Sequence, residues 1–229
     1  MMLLALDTSS VACSAAVQIG SKVYSEYEEK PREHTRLLMP MIRALLAEAD
    51  IDLSSLDGIV LGNGPGSFIG MRIAASVAQG LAFGANLKIA PVSSMAAVAA
   101  AVSPSGAATV VVAQDAHMQE VYLGLYDVLD GAVSDKIPER LQRCEAIEEL
   151  ADSDEFVAAG YGWQRFPGLL AANRAHLKVV SDVLYPHAAS LLGLGVTAFE
   201  RGDSITATEV IPAYLRQKVA AANPQRKFQ

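Results

Sequence analysis

The chain has 229 residues, 52% of them hydrophobic but only 6% aromatic, and a formal net charge of -7. That length supports one large or two small packed domains, and an ordinary count of glycine (17) and proline (10) excludes a disordered chain. The acid surplus argues against a protein that holds nucleic acid by itself, because phosphates must be neutralised by Lys and Arg.

The first residues, Met1 to Leu6, carry no positive charge and meet Asp7, so this opening is not expected to be a signal peptide. Leu3 to Leu6 reads as a buried strand, and Asp7-Thr8-Ser9-Ser10 as a polar turn. Val11 to Ile19 and Val23 to Tyr27 alternate, completing a three-stranded antiparallel meander. A helix is expected from His34 to Ala49. Its apolar residues Leu37, Leu38, Met41, Ile42, Leu45 and Leu46 span nearly half the wheel, wider than the ~100° one core needs. Pro40 inside it predicts a kink or a late start. A strand from Asp57 to Leu61 leads into the turn Gly62-Asn63-Gly64-Pro65-Gly66-Ser67. A helix from Ser67 to Phe83, a strand Lys88 to Val92 and a helix Ser94 to Val102 follow.

Ser103-Pro104-Ser105-Gly106 reads as a boundary, giving an N-terminal domain over 1–104 and a C-terminal one over 105–229, whose last segment packs back on the first. The second half restarts with strand Thr109 to Ala113 and the turn Gln114-Asp115-Ala116-His117. Next come strand Val121 to Tyr126, a strand near Val133 and a helix near Cys144 to Ala151. Strand Phe156 to Ala159, a helix near Leu169 and a last helix from His187 to Phe199 complete it. Both halves open on a buried strand, an aspartate turn and a second strand, so Asp7 and Asp115 fall in equivalent places. This predicts a duplicated α/β fold with a cleft between two lobes. No apolar run approaches the ~18 residues of a membrane span. Cys13 and Cys144 have no paired spacing, as in a reducing compartment. A soluble, cytoplasmic protein is expected.

The glycine turn from strand to helix offers backbone N–H groups to an anion, or else allows a tight turn and close helix–sheet packing. It has no Lys after the glycines, so it is not a Walker loop. Ile69 stands where a dinucleotide fingerprint needs Gly. Ser67 reads as an N-cap. After it, Gly70, Ala74, Ala78 and Ala82 form a small-residue column beside Ile73, Val77 and Leu81. That column packs either on the chain's own sheet or on another helix. With Leu38, Met41 and Leu45 of the first helix, these residues are the candidate partner interface. Asp7 and Asp115 could hold magnesium across the cleft, with Thr8 and Ser9 on phosphate. The same residues are ordinary turn formers. His34, His117, His176 and His187 are scattered without metal-ligand spacing, and Trp163 reads as packing. The stretch Pro212 to Gln229, with Arg216, Lys218, Arg226 and Lys227 and no acid, reads as a solvated basic tail.

Several of these strings together resemble one family. Leu4-Ala-Leu-Asp-Thr-Ser-Ser-Val-Ala-Cys-Ser is similar to the opening of the TsaB (YeaZ) family, and Gly64-Pro-Gly-Ser-Phe-Ile-Gly-Met-Arg to its GPGSFTGLR signature. Asp115-Ala116 with Glu120-Val121-Tyr122, Tyr185-Pro186 and Pro212-Ala-Tyr-Leu-Arg216 match its later motifs. The resemblance implies an α/β, two-lobed actin-like ATPase (RNase H-like) fold with duplicated βββαβα lobes. It implies a non-catalytic subunit that binds and activates TsaD, with TsaE, in making N6-threonylcarbamoyladenosine at position 37 of ANN-decoding tRNAs. It implies a homodimer in isolation through first-lobe helices, contact with tRNA only through the complex, and no membrane. It also implies no metal site and no tightly bound cofactor, with ATP or ADP and Mg at the level of the complex. Asp7, Thr8, Ser9, Gly64, Gly66, Ser67 and Asp115 then form a weak or vestigial nucleotide site. TsaD-like relatives hold metal through H-x-x-x-H; here His34 is followed four residues on by Leu38. The chain departs from the family at Ile69, where Thr is usual, and at His117, where Arg is usual. The alternative is an ATP-dependent phosphotransferase or ATPase using Asp7 and Asp115.

Overall fold

A computed structural model describes residues 1–102, 106–144 and 155–216. The first lobe holds β1 (Met2–Asp7), β2 (Ala12–Ile19), β3 (Lys22–Glu29), α1 (His34–Glu48), β4 (Gly58–Gly62), α2 (Phe68–Ala85), β5 (Lys88–Val92) and α3 (Ser94–Val102). The second holds β6 (Ala107–Asp115), β7 (Glu120–Leu129), β8 (Ala132–Arg143), β9 (Phe156–Ala159), α4 (Gly162–Arg165), α5 (Pro167–Ala172), β10 (Leu177–Val180) and α6 (Ala188–Arg201). The two five-stranded sheets run β3-β2-β1-β4-β5 and β10-β9-β6-β7-β8. These orders coincide when β6 is laid on β1. In each, the hairpin pair (β1–β2 or β6–β7) is antiparallel and the central strand is parallel to its neighbour on the other side, β4 or β9. The lobes therefore share one topology, and Asp7 and Asp115 each end the central strand of their own sheet.

Side chains alternate across a strand, and both faces of the first sheet are apolar. Leu4, Leu6, Ile59 and Leu61 pack under α1 and α2, while Leu3, Ala5, Ala16 and Val60 pack against Ala188, Leu191 and Leu192 of α6. In the second sheet Val110, Val112, Tyr122 and Tyr126 face Met95, Val98 and Ala99 of α3. Val111, Val121, Leu125 and Phe156 face Trp163, Phe166 and Leu169. Helices α3 and α6 are thus exchanged: each closes the first or second sheet that its own half of the chain does not build, and the two helices touch.

Most expected elements occur at their expected places. Pro40 lies inside α1, which runs through without a late start. Proline cannot donate to the carbonyl of residue 36, and both Pro40 and Arg36 lie on the exposed side of the helix. The strand β10 and the short α4 were not expected; both are brief, and β10 carries exposed Val179 and Val180 at a sheet edge. The boundary at 103–105 and the body of the helix expected near Cys144 to Ala151 lie outside the described residues.

Two expectations need correction. First, α2 is 18 residues long with mean hydropathy 1.3, long and apolar enough to cross a membrane by length and composition. It packs instead along β4, β1 and β5, covering the first sheet. Second, Leu38, Met41, Leu45, Gly70, Ala74 and Ala78 are buried inside the lobe. The small-residue column lets α2 lie close on its own sheet, and in the single chain these six residues are turned into the lobe's own interior. Of the expected interface, Ile73, Val77 and Leu81 remain half-buried at the edge of the core. They are flanked by Ile69 and Phe83, which are 69% and 79% exposed. Ala78→Arg is therefore expected to destabilise the lobe by about 3 kcal/mol or more, as an unpaired buried charge does. Val77→Arg should cost less, about 1 kcal/mol by urea denaturation, because Val77 is only half-buried at the edge of that core.

Candidate functional site

The glycine turn forms because β4 must leave the sheet and start α2 in a few residues. Gly64 has φ +87 and is joined to Pro65 by a cis peptide bond. Ser67 caps α2, its hydroxyl accepting from Gly70 N at 3.2 Å. The turn lies directly on the β1–β2 turn. A Cβ at Gly66 would overlap Ser9 O, and one at Gly70 would overlap Thr8 O, so close approach of two backbones requires glycine there. Ser67 N donates to Ser9 O at 2.6 Å and Thr8 Oγ1 donates to Gly70 O at 2.6 Å.

Asp7 sits behind these contacts and is 1% exposed. Its Oδ1 accepts from Ser9 N and Ser9 Oγ, both at 2.8 Å, and its Oδ2 from Ser94 Oγ at 2.5 Å. Ser94 Oγ in turn accepts from Gly64 N at 3.1 Å. Burial holds the Asp7 carboxyl above its ordinary range, although hydrogen bonds from Ser94 and Ser9 pull it down. Six of the seven expected nucleotide-site residues (Asp7, Thr8, Ser9, Gly64, Gly66 and Ser67) are thus brought together, but as one internally bonded knot. The amides of Gly64, Ser67 and Gly70 are already used. Of the two turn readings, close packing accounts for every contact named.

Asp115 does not join them. It lies across the cleft on the second lobe, where its Oδ1 accepts from His117 N at 2.8 Å. Its Oδ2 is 3.6 Å from His117 Nδ1 and 4.0 Å from Arg165 Nε. Asp115 lines the cleft and Asp7 does not, so the expected magnesium-bridging pair is corrected: one carboxylate is sealed behind Ser9. His34 is buried with Nε2 2.9 Å from Ser10 O. Among the described residues no three His, Cys, Asp or Glu side chains converge on a common point. Trp163 packs on Phe156 and donates Nε1 to Val111 O at 3.0 Å. Burial pushes the Cys13 thiol up to about 12.

The cleft between the lobes holds about 910 Å3, within the usual size of a ligand site. Its first-lobe wall is Ser9, Ser10, Arg32 and Gly66 to Gly70; its second-lobe wall is Gln114 to Met118, Tyr122, Tyr161 and Tyr185. The last segment, expected to pack back on the first lobe, also spans the cleft, and its tie to the second lobe was not legible in sequence. After α6 the chain returns to the first lobe, where Ile89 and Ile205 form a bridge. Asn63 Nδ2 then donates to Ile211 O at 3.1 Å, and Ala213 N to Asn63 O at 3.1 Å. Arg72 stacks over Phe68, 3.5 Å from its centroid, and donates Nε to Tyr214 Oη at 2.9 Å. Arg216 then reaches the second lobe, with Nη2 2.5 Å from Glu120 Oε2 and 2.8 Å from Ala116 O. Arg216 was expected in a solvated tail; it is a half-buried tie instead, and residues 217–229 lie outside the described residues. The turn it grips, His117-Met118-Gln119, has three successive left-handed residues, φ 60, 53 and 61, a conformation that non-glycine residues resist.

A second contact joins the lobes nearby. Glu139 of β8 accepts from Ser93 Oγ at the start of α3 and from Tyr126 Oη at 2.7 Å. Burial pushes its carboxyl up.

The fold and this site define a two-lobed, actin-like α/β protein. A family model described as "TsaD: tRNA N6-adenosine threonylcarbamoyltransferase" matches residues 22–224. The chain is 35% identical over 224 residues to the tRNA threonylcarbamoyladenosine biosynthesis protein TsaB of Escherichia coli strain K12, covering 96% of each. It is 36% identical over 228 residues to the protein of the same name in Haemophilus influenzae, covering 95% of this chain and 94% of that one. A solved structure titled "YeaZ from Pseudomonas aeruginosa" superposes with TM-score 0.85 and 39% identity over 93% of this chain and 99% of that one. Another, titled as an uncharacterized protein with similarity to peptidase YEAZ from the same organism, has TM-score 0.85 and covers 94% and 99%. The chain belongs to the TsaB (YeaZ) family of tRNA threonylcarbamoyladenosine biosynthesis proteins.

Two outcomes are expected from this geometry. Arg216→Ala should cost about 1.5–3 kcal/mol, the worth of hydrogen bonds to a charged group, and speed amide exchange in the 116–120 turn relative to α1. Asp7 has a raised pKa when folded, so its contribution to stability is greatest below the ordinary carboxylate value and declines as pH rises through the raised one. Asp7→Asn cannot ionise, and should flatten the urea midpoint against pH from about pH 4 upward. An unchanged curve would mean that the Asp7 carboxyl titrates as an exposed one.

Proposed function

We propose that this chain is a non-catalytic, activating subunit that binds TsaD, together with TsaE, in forming N6-threonylcarbamoyladenosine at position 37 of ANN-decoding tRNAs. The observation that carries this reading is the knot around Asp7. The groups that would grip phosphate or metal in an active relative are spent on each other, while α2 keeps an apolar edge of Ile69, Ile73, Val77, Leu81 and Phe83 toward the surface. A face of that kind suits another helix. The same edge supports a homodimer in isolation, exchanged for TsaD when TsaD is present. The net charge of -7 fits contact with tRNA through the complex rather than directly. No tightly bound cofactor is assigned to this chain; ATP or ADP with Mg belongs to the assembled complex. The setting is cytoplasmic.

The deciding experiment is tRNA modification by purified TsaD and TsaE, supplied with threonylcarbamoyl-adenylate and ATP, with and without this chain. Modification is expected only with it, and equal product in both reactions would end the proposal. Val77→Arg should lose both self-association and TsaD binding in analytical ultracentrifugation. The ATPase alternative requires magnesium-dependent ATP hydrolysis by the isolated chain that Asp7→Asn abolishes.

A further inference from the structure

Large apolar side chains left exposed are not spread evenly over this molecule. Val11, Phe68, Ile69, Met118 and Tyr214 are exposed and all line the interlobe cleft. Ile211, 74% exposed, lies on the crossing segment three residues before Tyr214. Apolar patches of this kind mark interaction sites. The cleft could enclose a small ligand, but Ile69 and Met118, at 69% and 72% exposed, stand on its lips, where only a larger partner would cover them.

The charges at the mouth select the partner's chemistry. Asp115 is faced by His117 and Arg165, and Glu120 is paired with Arg216. Arg32 has no carboxylate within ion-pair reach among the described residues. The mouth is therefore apolar with an uncompensated cation, in a chain that is acidic as a whole. Arg32 is also held at φ 67, opposite the left-handed 117–119 turn. Both lips thus adopt backbone conformations that non-glycine residues disfavour. Methionine on one lip adapts to varied apolar shapes.

We propose that the cleft mouth is a docking groove for an apolar segment of TsaD that carries Asp or Glu, its apolar residues seated between Ile69 and Met118 and its carboxylate on Arg32. This rests on the pairing proposed above, and the test separates the two. The photo-crosslinking residue p-benzoylphenylalanine is placed at position 118, 69 or 77 in separate preparations of the full chain. Each is mixed with TsaD and irradiated, and the captured peptide is read by mass spectrometry. Positions 69 and 118 are expected to capture one and the same apolar, acidic TsaD peptide. Arg32→Glu should reduce that capture about tenfold, and Arg32→Gln by less, as like charge against like charge does. Capture at position 77 should persist in both variants. The groove proposal is overturned if position 77 captures TsaD while 118 captures nothing, a basic segment, or only a second copy of this chain. If position 77 captures no TsaD either, the pairing itself fails and the groove proposal fails with it.

Discussion

One buried carboxylate ties together the parts that give this fold its shape. Asp7 ends the central strand of the first sheet, and its two oxygens take hydrogen bonds from Ser9 in the β1–β2 turn and from Ser94 at the start of α3. Through Ser94 it holds Gly64, and through Ser9 it holds Ser67, the cap of α2. The starts of two helices and the end of the central strand are fixed by a single residue. A carboxyl placed so deep costs free energy unless its polar atoms are hydrogen-bonded, and here all its named partners come from the chain itself.

Much of the architecture was legible because it rests on local patterns. Alternation from Val11 to Tyr27 gave the meander, the apolar run at Gly58 to Leu61 gave β4, and Ser67 at the head of a periodic segment gave the cap of α2. The equivalence of Asp7 and Asp115 gave the duplication. What stayed hidden depends on where distant segments meet. Ala74 and Ala78 look the same in sequence whether they face a sheet or a partner, and only the β1 and β4 side chains beneath them decide it. The wide apolar arc on α1 suggests a spare face, yet Leu38, Met41 and Leu45 pack into the lobe's own core.

The site was legible in membership but not in meaning. The expected residues of the first lobe do gather, yet their hydrogen bonds turn inward, and spacing cannot say which way a hydroxyl points. Arg216 offers the reverse case. It sits in a stretch of cations without acids, which reads as a solvated face. Its partner Glu120 is nearly a hundred residues earlier, so no local signal could reveal the pair. The path over Asn63, Arg72 and Tyr214 that delivers it is set by long-range contacts alone.

The exchange of α3 and α6 bears on how such a molecule can be divided. Each sheet needs cover on both faces, and for each sheet one inner helix comes from the other half of the chain. A chain cut between the halves would leave two sheets each bare on one side, with Leu3 and Val60 or Val110 and Val112 facing water. A chain with only one such half could satisfy the same need by lending its last helix to an identical neighbour and borrowing the neighbour's in return. The duplicated protein is, in packing terms, that reciprocal pair joined end to end: folding is shared property, and neither half has a hydrophobic interior it can call its own.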